Sequence, residues 1–163
     1  MVKANFFKAI AAGVILYRVV KYIGQQKRSI ESWNYSIKGF NLVRIDLHSI
    51  EFEILLDVMN KSGAAIRTGM FDLDVILEGI KVGRINSNDF YEIKPHGNTA
   101  IPFRLKVYLK DLGTNRSRLI KLLQSNPNFK IELNGNFQVE TLPGLYKAVP
   151  VDYETRIANL ITG

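Results

Sequence analysis

Cysteine is missing from this 163-residue sequence. That absence excludes disulfides, thiolate zinc sites and a cysteine nucleophile, while leaving the compartment open. Histidine occurs only twice, as His48 and His96, in different probable elements and outside any ligand-spaced cluster. Each reads as an exposed or hydrogen-bonded side chain rather than a metal ligand or a base. There is no low-complexity linker and no repeat with a period of roughly 20–50 residues. Acidic residues are absent from the first 28 positions.

That last absence locates the charge. The net charge is +7, and residues 1–28 supply +6 of it through Lys3, Lys8, Arg18, Lys21, Lys27 and Arg28. The rest of the chain is nearly balanced, so a pI near 9.6 describes a leader and not a basic domain. A nucleic-acid-binding fold spreads its basic face over the body, so nucleic acid is not the expected partner. An apolar content of 47% is ordinary for a globular chain and supports one buried core. The expected division is a basic apolar helix over 1–28 and one domain over 29–163.

Residues 6–23 read FFKAIAAGVILYRVVKYI. As a helix they reach roughly 27 Å, close to the hydrocarbon thickness of a bilayer. Arg18 and Lys21 fall in the second half and must snorkel. Apolar side chains lie all round the wheel, unlike a surface-lying amphipathic helix. No small-residue cleavage site follows, so a signal peptide fits poorly. Three readings stay open: a membrane anchor, a helix packed into a partner or oligomer, and a helix folded back on its own domain. The docking or anchoring residues are Phe6, Phe7, Ile10, Val14, Leu16, Tyr17, Val20 and Ile23. Gly24-Gln25-Gln26 ends the helix.

From Trp33 onward the hydrophobic period changes to two. Tyr35, Ile37, Gly39, Leu42, Ile45 and Leu47 suggest a long or broken first strand. Residues 50–58, 70–77, 80–85, 90–93 and 100–109 follow as strands, with turns at 60–63 and 94–97 and a tight hairpin at Glu78-Gly79. Residues 114–124 break the alternation and read as one short helix, N-capped by Thr114 or Asn115. Residues 129–142 and 146–154 close the pattern. The prediction is an all-β antiparallel sandwich with one short internal helix.

The order of elements and several motifs resemble the late embryogenesis abundant type 2 family, also described as the water-stress and hypersensitive-response domain. The matching text is ILLDVMNKSG (54–63), DLDVILEGIKVGRI (72–85), YEIKPHGNTAIPFRLKV (91–107), LIKLLQ (119–124), FKIELNGNFQV (129–139) and LYKAVPVDYE (145–154). The resemblance covers about residues 33–155. Where the family usually has Asn-Pro in its first turn, this chain has Asn60-Lys61. It implies an immunoglobulin- or fibronectin-like sandwich without catalytic residues, associated with desiccation or stress protection and often carried behind an N-terminal membrane anchor.

The residues themselves offer no competing chemistry. Glu51, Glu53, Asp72 and Asp74 alternate with apolar neighbours, as solvated strand faces do. Gly79 and Gly83 flank a hairpin and open no helix, so they form no phosphate loop. Arg116, Arg118 and Lys121 form a small basic patch whose simplest reading is a solvated helix face. Trp33, Tyr35 and Phe40 suit core or end-capping positions better than a partner seat. No cofactor, metal or small-molecule substrate is expected. The expected function is a non-catalytic structural or interaction subunit of a larger assembly, such as a phage virion or tail, docked through residues 1–28 onto other protein subunits. The alternative is a membrane-associated, stress-protective sandwich with the same residues in a bilayer.

Overall fold

Strict alternation decides the architecture. In a computed structural model, which describes residues 33–126 and 128–161, Phe52, Ile54, Leu56 and Val58 all point inward and are fully buried. Their neighbours Glu51, Glu53, Leu55 and Asp57 are half-buried on the other face. The same pleat orders Phe71, Leu73, Val75 and Leu77, then Ile101, Phe103, Leu105 and Val107. Burying each such side chain contributes roughly 1.5–3 kcal/mol, enough to hold two sheets face to face.

Seven strands result: β1 (Trp33–Ile45), β2 (Ser49–Asn60), β3 (Ile66–Leu77), β4 (Ile80–Ile93), β5 (Asn98–Tyr108), β6 (Lys130–Leu142) and β7 (Leu145–Arg156). One sheet has the order β1-β2-β5 and the other β4-β3-β6-β7, and every pairing is antiparallel. A 3-10 turn (Leu109–Leu112) and α1 (Asn115–Ser125) carry the chain from β5 to β6. A short α2 (Ala158–Ile161) ends the described chain. The all-β sandwich and its internal helix match expectation. The predicted N-terminal helix, with its docking residues and basic flank, lies outside the described residues.

Three differences have local causes. The predicted strands 80–85 and 90–93 are one strand, because β3 and β4 slip register between Gly69 and Phe71 and the polar run 86–89 rides on a bulged edge. β3 begins at Ile66 rather than Met70. Gly69 lets β4 approach: a Cβ there would lie 2.3 Å from the Asp89 carbonyl oxygen. Leu47 belongs to a turn, and Leu42 and Ile45 in β1 are exposed. The hairpin at Glu78-Gly79 is as expected, with φ of 46° and 76°, the primed-turn geometry that suits the twist of a two-residue hairpin.

The sandwich has two distinct ends. At the entry end, where β1 starts, Asn60 is fully buried and joins the two sheets. Its Nδ2 donates to the carbonyls of Ala64 (2.7 Å), Lys94 (3.1 Å) and Ile93 (3.3 Å). Its Oδ1 accepts from the Ser62 amide at 2.9 Å and the Ser62 hydroxyl at 2.7 Å. At the opposite end lie the β1–β2 turn, the β3–β4 hairpin and α1. Leu119 of α1 is fully buried there, with Ile120, Leu122 and Leu123 packed on the core.

Candidate functional site

The outer faces are largely self-neutralised. Lys81 Nζ lies 2.7 Å from Asp74, Arg84 binds Asp72 through its guanidinium, and Arg104 lies 3.5 Å from Glu53. Lys130 bridges Glu132 (2.8 Å) and Glu154 (3.3 Å). The Arg84 guanidinium beside Asp72 holds its carboxyl below the usual range. The cross-strand pairs account for Glu53, Asp72 and Asp74, as expected of solvated sheet faces, and Glu51 stands opposite Lys106 in the β2–β5 register. Tyr35 packs edge-on against Phe137 at 6.0 Å, and Phe40 against Phe52 at 5.1 Å and Phe129 at 5.6 Å. Both are structural. Trp33 pairs with Asn60 at the start of β1.

His48 and His96 sit in turns at opposite ends of the sandwich. Among the described residues no group of three or more His, Asp or Glu side chains could hold a metal ion. No described helix is long and apolar enough to cross a membrane.

What does stand out is the β1–β2 turn end. Leu42, Val43, Ile45 and Leu47 are all exposed, Ile45 by 57% and Leu47 by 82%. Val43 is the extra residue at a register shift between Leu42 and Arg44, while Leu42 and Ile45 pair with the buried Phe52 and Ile50 and so lie on the inner face, exposed at the rim of the sandwich. Asp46 fixes the turn below them. Its Oδ1 accepts from the amides of His48 (2.8 Å) and Ser49 (2.7 Å), and its Oδ2 from the Ser49 hydroxyl at 3.1 Å. Those amide bonds, the His48 one first, hold the Asp46 carboxyl below its ordinary range. The Leu109 amide donates to the His48 carbonyl at 2.9 Å, tying the turn to the end of β5.

Beside this strip Tyr108 is exposed between two lysines, with Lys106 Nζ 5.4 Å and Lys110 Nζ 5.8 Å from its ring centroid. A cleft of ≈ 310 Å³ runs between Leu47, His48, Tyr108, Leu109, Lys110 and Arg116. The basic patch of the helix divides here: Arg116 lines the cleft, while Arg118 donates to the Glu78 carbonyl at 3.3 Å and is structural. Lys106, Tyr108 and Lys110 were not among the expected functional residues. Lys106 and Tyr108, two apart, share one face of β5, and Lys110 follows in the 3-10 turn; the Lys-x-Tyr-x-Lys spacing was legible.

With this geometry in view, a family model for late embryogenesis abundant protein matches residues 55–155, from the middle of β2 to the end of β7. The chain belongs to the late embryogenesis abundant family. The resemblance in its motifs is thereby established, over most of the span expected. Among solved structures, a protein from Archaeoglobus fulgidus is similar with a TM-score of 0.50 at 17% identity, over 74% of this chain and 95% of that one. A protein from Arabidopsis thaliana solved in solution gives 0.51 at 15% identity, over 76% and 79%. These likenesses concern the fold. Comparison with curated proteins gives no match.

The family motifs acquire physical roles. Asn60, the asparagine of the first turn, is the clamp between the sheets, and it keeps that role with Lys61 in place of the family's usual proline. The glycine of the sixth strand is Gly135, where a Cβ would lie 2.1 Å from the Asp72 carbonyl oxygen.

Proposed function

We propose that the protein is a non-catalytic interaction module of the late embryogenesis abundant family that works at a membrane surface, tethered through residues 1–28. The observation that carries this reading is the concentration of exposed apolar side chains at the β1–β2 turn end, on a body whose sheet faces carry several ion pairs. A soluble sandwich normally blunts an edge strand with lysine, proline or a bulge that turns it away. Here the rim of the inner face leaves Leu42 and Ile45 exposed, with Leu47 beyond them in the turn, which marks a surface meant to be covered. We further assign the sandwich to the immunoglobulin/fibronectin-like type. Its strand order of 1-2-5 over 4-3-6-7 supports that assignment.

Family membership favours stress protection, and the composition of residues 6–23, with Lys3, Lys21, Lys27 and Arg28 near the headgroups, favours a bilayer as the tether's environment. The sandwich then acts as a rigid body held close to the lipid.

A second reading keeps the same module in a larger protein assembly, such as a virion or tail, with residues 1–28 docked between subunits. The exposed edge of β1 favours it, because an edge strand is also a template for a protein partner. Fractionation separates the two. Retention of the full chain in membranes through carbonate and high-salt washes supports the tether, whereas co-purification with a detergent-free particle overturns it in favour of the assembly. Deleting residues 1–28 abolishes retention and leaves the sandwich folded.

A further inference from the structure

The residues at the β1–β2 turn end define more than an exposed strip. The turn is rigid, because Asp46 and the His48 carbonyl bind it from both sides, so Leu47 is held out on a fixed support. The cations around it are available. The ion pairs of the described residues engage Arg44, Arg67, Lys81, Arg84, Arg104, Lys130 and Arg156. Lys106, Lys110 and Arg116 take part in none of them. Of the carboxylates around them, Asp46 is already occupied by amides, Glu51 pairs with Lys106 in the β2–β5 register, and Asp111 lines a cleft with Lys106 and Tyr108.

Building on the membrane reading above, we propose that this end of the sandwich is itself a docking surface for an anionic lipid bilayer, independent of residues 1–28. Leu47 and Ile45 enter the interfacial layer, Tyr108 sits at headgroup depth, and Lys106, Lys110 and Arg116 meet the lipid phosphates. Each component matches what such a surface rewards: a few apolar side chains buried shallowly, an aromatic ring with a polar tip, and flanking cations.

Size and charge choose the bilayer over a protein. A stable protein–protein interface buries about 1,200–2,000 Å² in total and needs a shaped counterpart. Four apolar side chains and one ring are too few for that. A lipid surface needs no counterpart and supplies the anions. The same chemistry, basic and apolar, recurs in residues 1–28, so both parts of the chain suit one kind of partner. Their placement agrees. Residues 1–28 precede one end of β1 and the docking turn follows the other, roughly 40 Å away for a 13-residue strand. Residues 24–32 can extend at most about 30 Å. With the entry end held no higher than that, the sandwich tilts its turn end onto the same membrane.

The absence of cysteine allows a direct test on the full chain. A single Leu47→Cys variant carries an environment-sensitive nitrobenzoxadiazole dye at the turn, and a Lys61→Cys variant carries it at the opposite end. Both are mixed with vesicles of phosphatidylcholine alone or with phosphatidylserine, and quenching by an aqueous reagent is measured. The expected result is shielding at position 47 only, and only with phosphatidylserine. Adding Lys110→Gln or Arg116→Gln weakens that shielding by roughly fivefold for each. Vesicle-bound protein with the dye at 47 still quenched overturns this proposal and leaves the tether intact. No association with any vesicle overturns both. Shielding by polyglutamate but not by vesicles assigns the surface to an acidic protein partner and overturns the lipid proposal.

Discussion

Replacing Asn60 with alanine should cost the sandwich about 3 kcal/mol, worked as follows from its bonds. The Ser62 hydroxyl already donates to the Ala64 carbonyl at 3.0 Å, so that pair survives. The Lys94 carbonyl keeps the Gly97 amide at 3.1 Å. The Ser62 amide is orphaned in a place shielded from water, and the Ile93 carbonyl, at the β3–β4 pair with Ile66, loses the Asn60 amide bond. Each orphaned buried group costs about 1–3 kcal/mol, and the total is a large share of a typical 5–15 kcal/mol stability. With a urea slope of roughly 1–3 kcal/mol per molar, the unfolding midpoint falls by about 1–3 M, read by circular dichroism. An aspartate at the same position tests the direction of the bonds. Its second oxygen would face three carbonyls and must be protonated to donate, so its folded pKa rises above the unfolded value. The Asn60→Asp variant is then nearest to wild type below about pH 4 and loses ground as pH rises through the raised value. A midpoint change under about 0.3 M for alanine, or no pH dependence for aspartate relative to wild type, would refute the clamp.

Gly135→Ala should destabilise by about 1–3 kcal/mol, because the added Cβ collides with the Asp72 backbone and the β3–β6 ladder must shift; thermal unfolding measures it. Asp46 has a lowered folded pKa, so its hold on the β1–β2 turn is fully present above the ordinary carboxylate range. It is lost as pH falls through the folded value. The Ser49 amide resonance should therefore move and exchange faster below about pH 4, and Asp46→Asn should lessen that response; an unchanged response in this variant would sink the assignment.

The strands most legible in the sequence were those with both neighbours in their own sheet. β2 and β3 each have a paired strand on either side and a core beneath, so alternation of Phe52, Ile54 and Leu56, or of Leu73 and Val75, has one meaning. β5 shows the same pattern as an edge strand covered on one face. Edges with bulges were harder. The break between Ile85 and Phe90 looked like two strands because an edge strand tolerates polar residues at the bulge. Leu42, Ile45 and Leu47 carried the apolar signature of a buried strand yet stay exposed, the first two on the inner face at its rim and the third in the turn. Hydrophobic period reports the pleat; it cannot report a register slip or whether a partner sheet reaches that far. Asn60 was legible as a turn residue but not as a clamp, since its partners Ile93 and Lys94 lie more than thirty positions away in sequence.

The two ends of the sandwich have a mechanical consequence. β1 leads away from the entry end, and β7 finishes beside Lys130 at the other, so the described chain starts and stops at opposite poles. A pull applied between those poles runs along the strands. It loads the β1–β2 and β6–β7 ladders in shear, where many backbone hydrogen bonds must yield together, instead of peeling them apart one pair at a time. Stretched between a tether and a second attachment, the domain would behave as a stiff strut, with its weakest seam at the two register slips of β1.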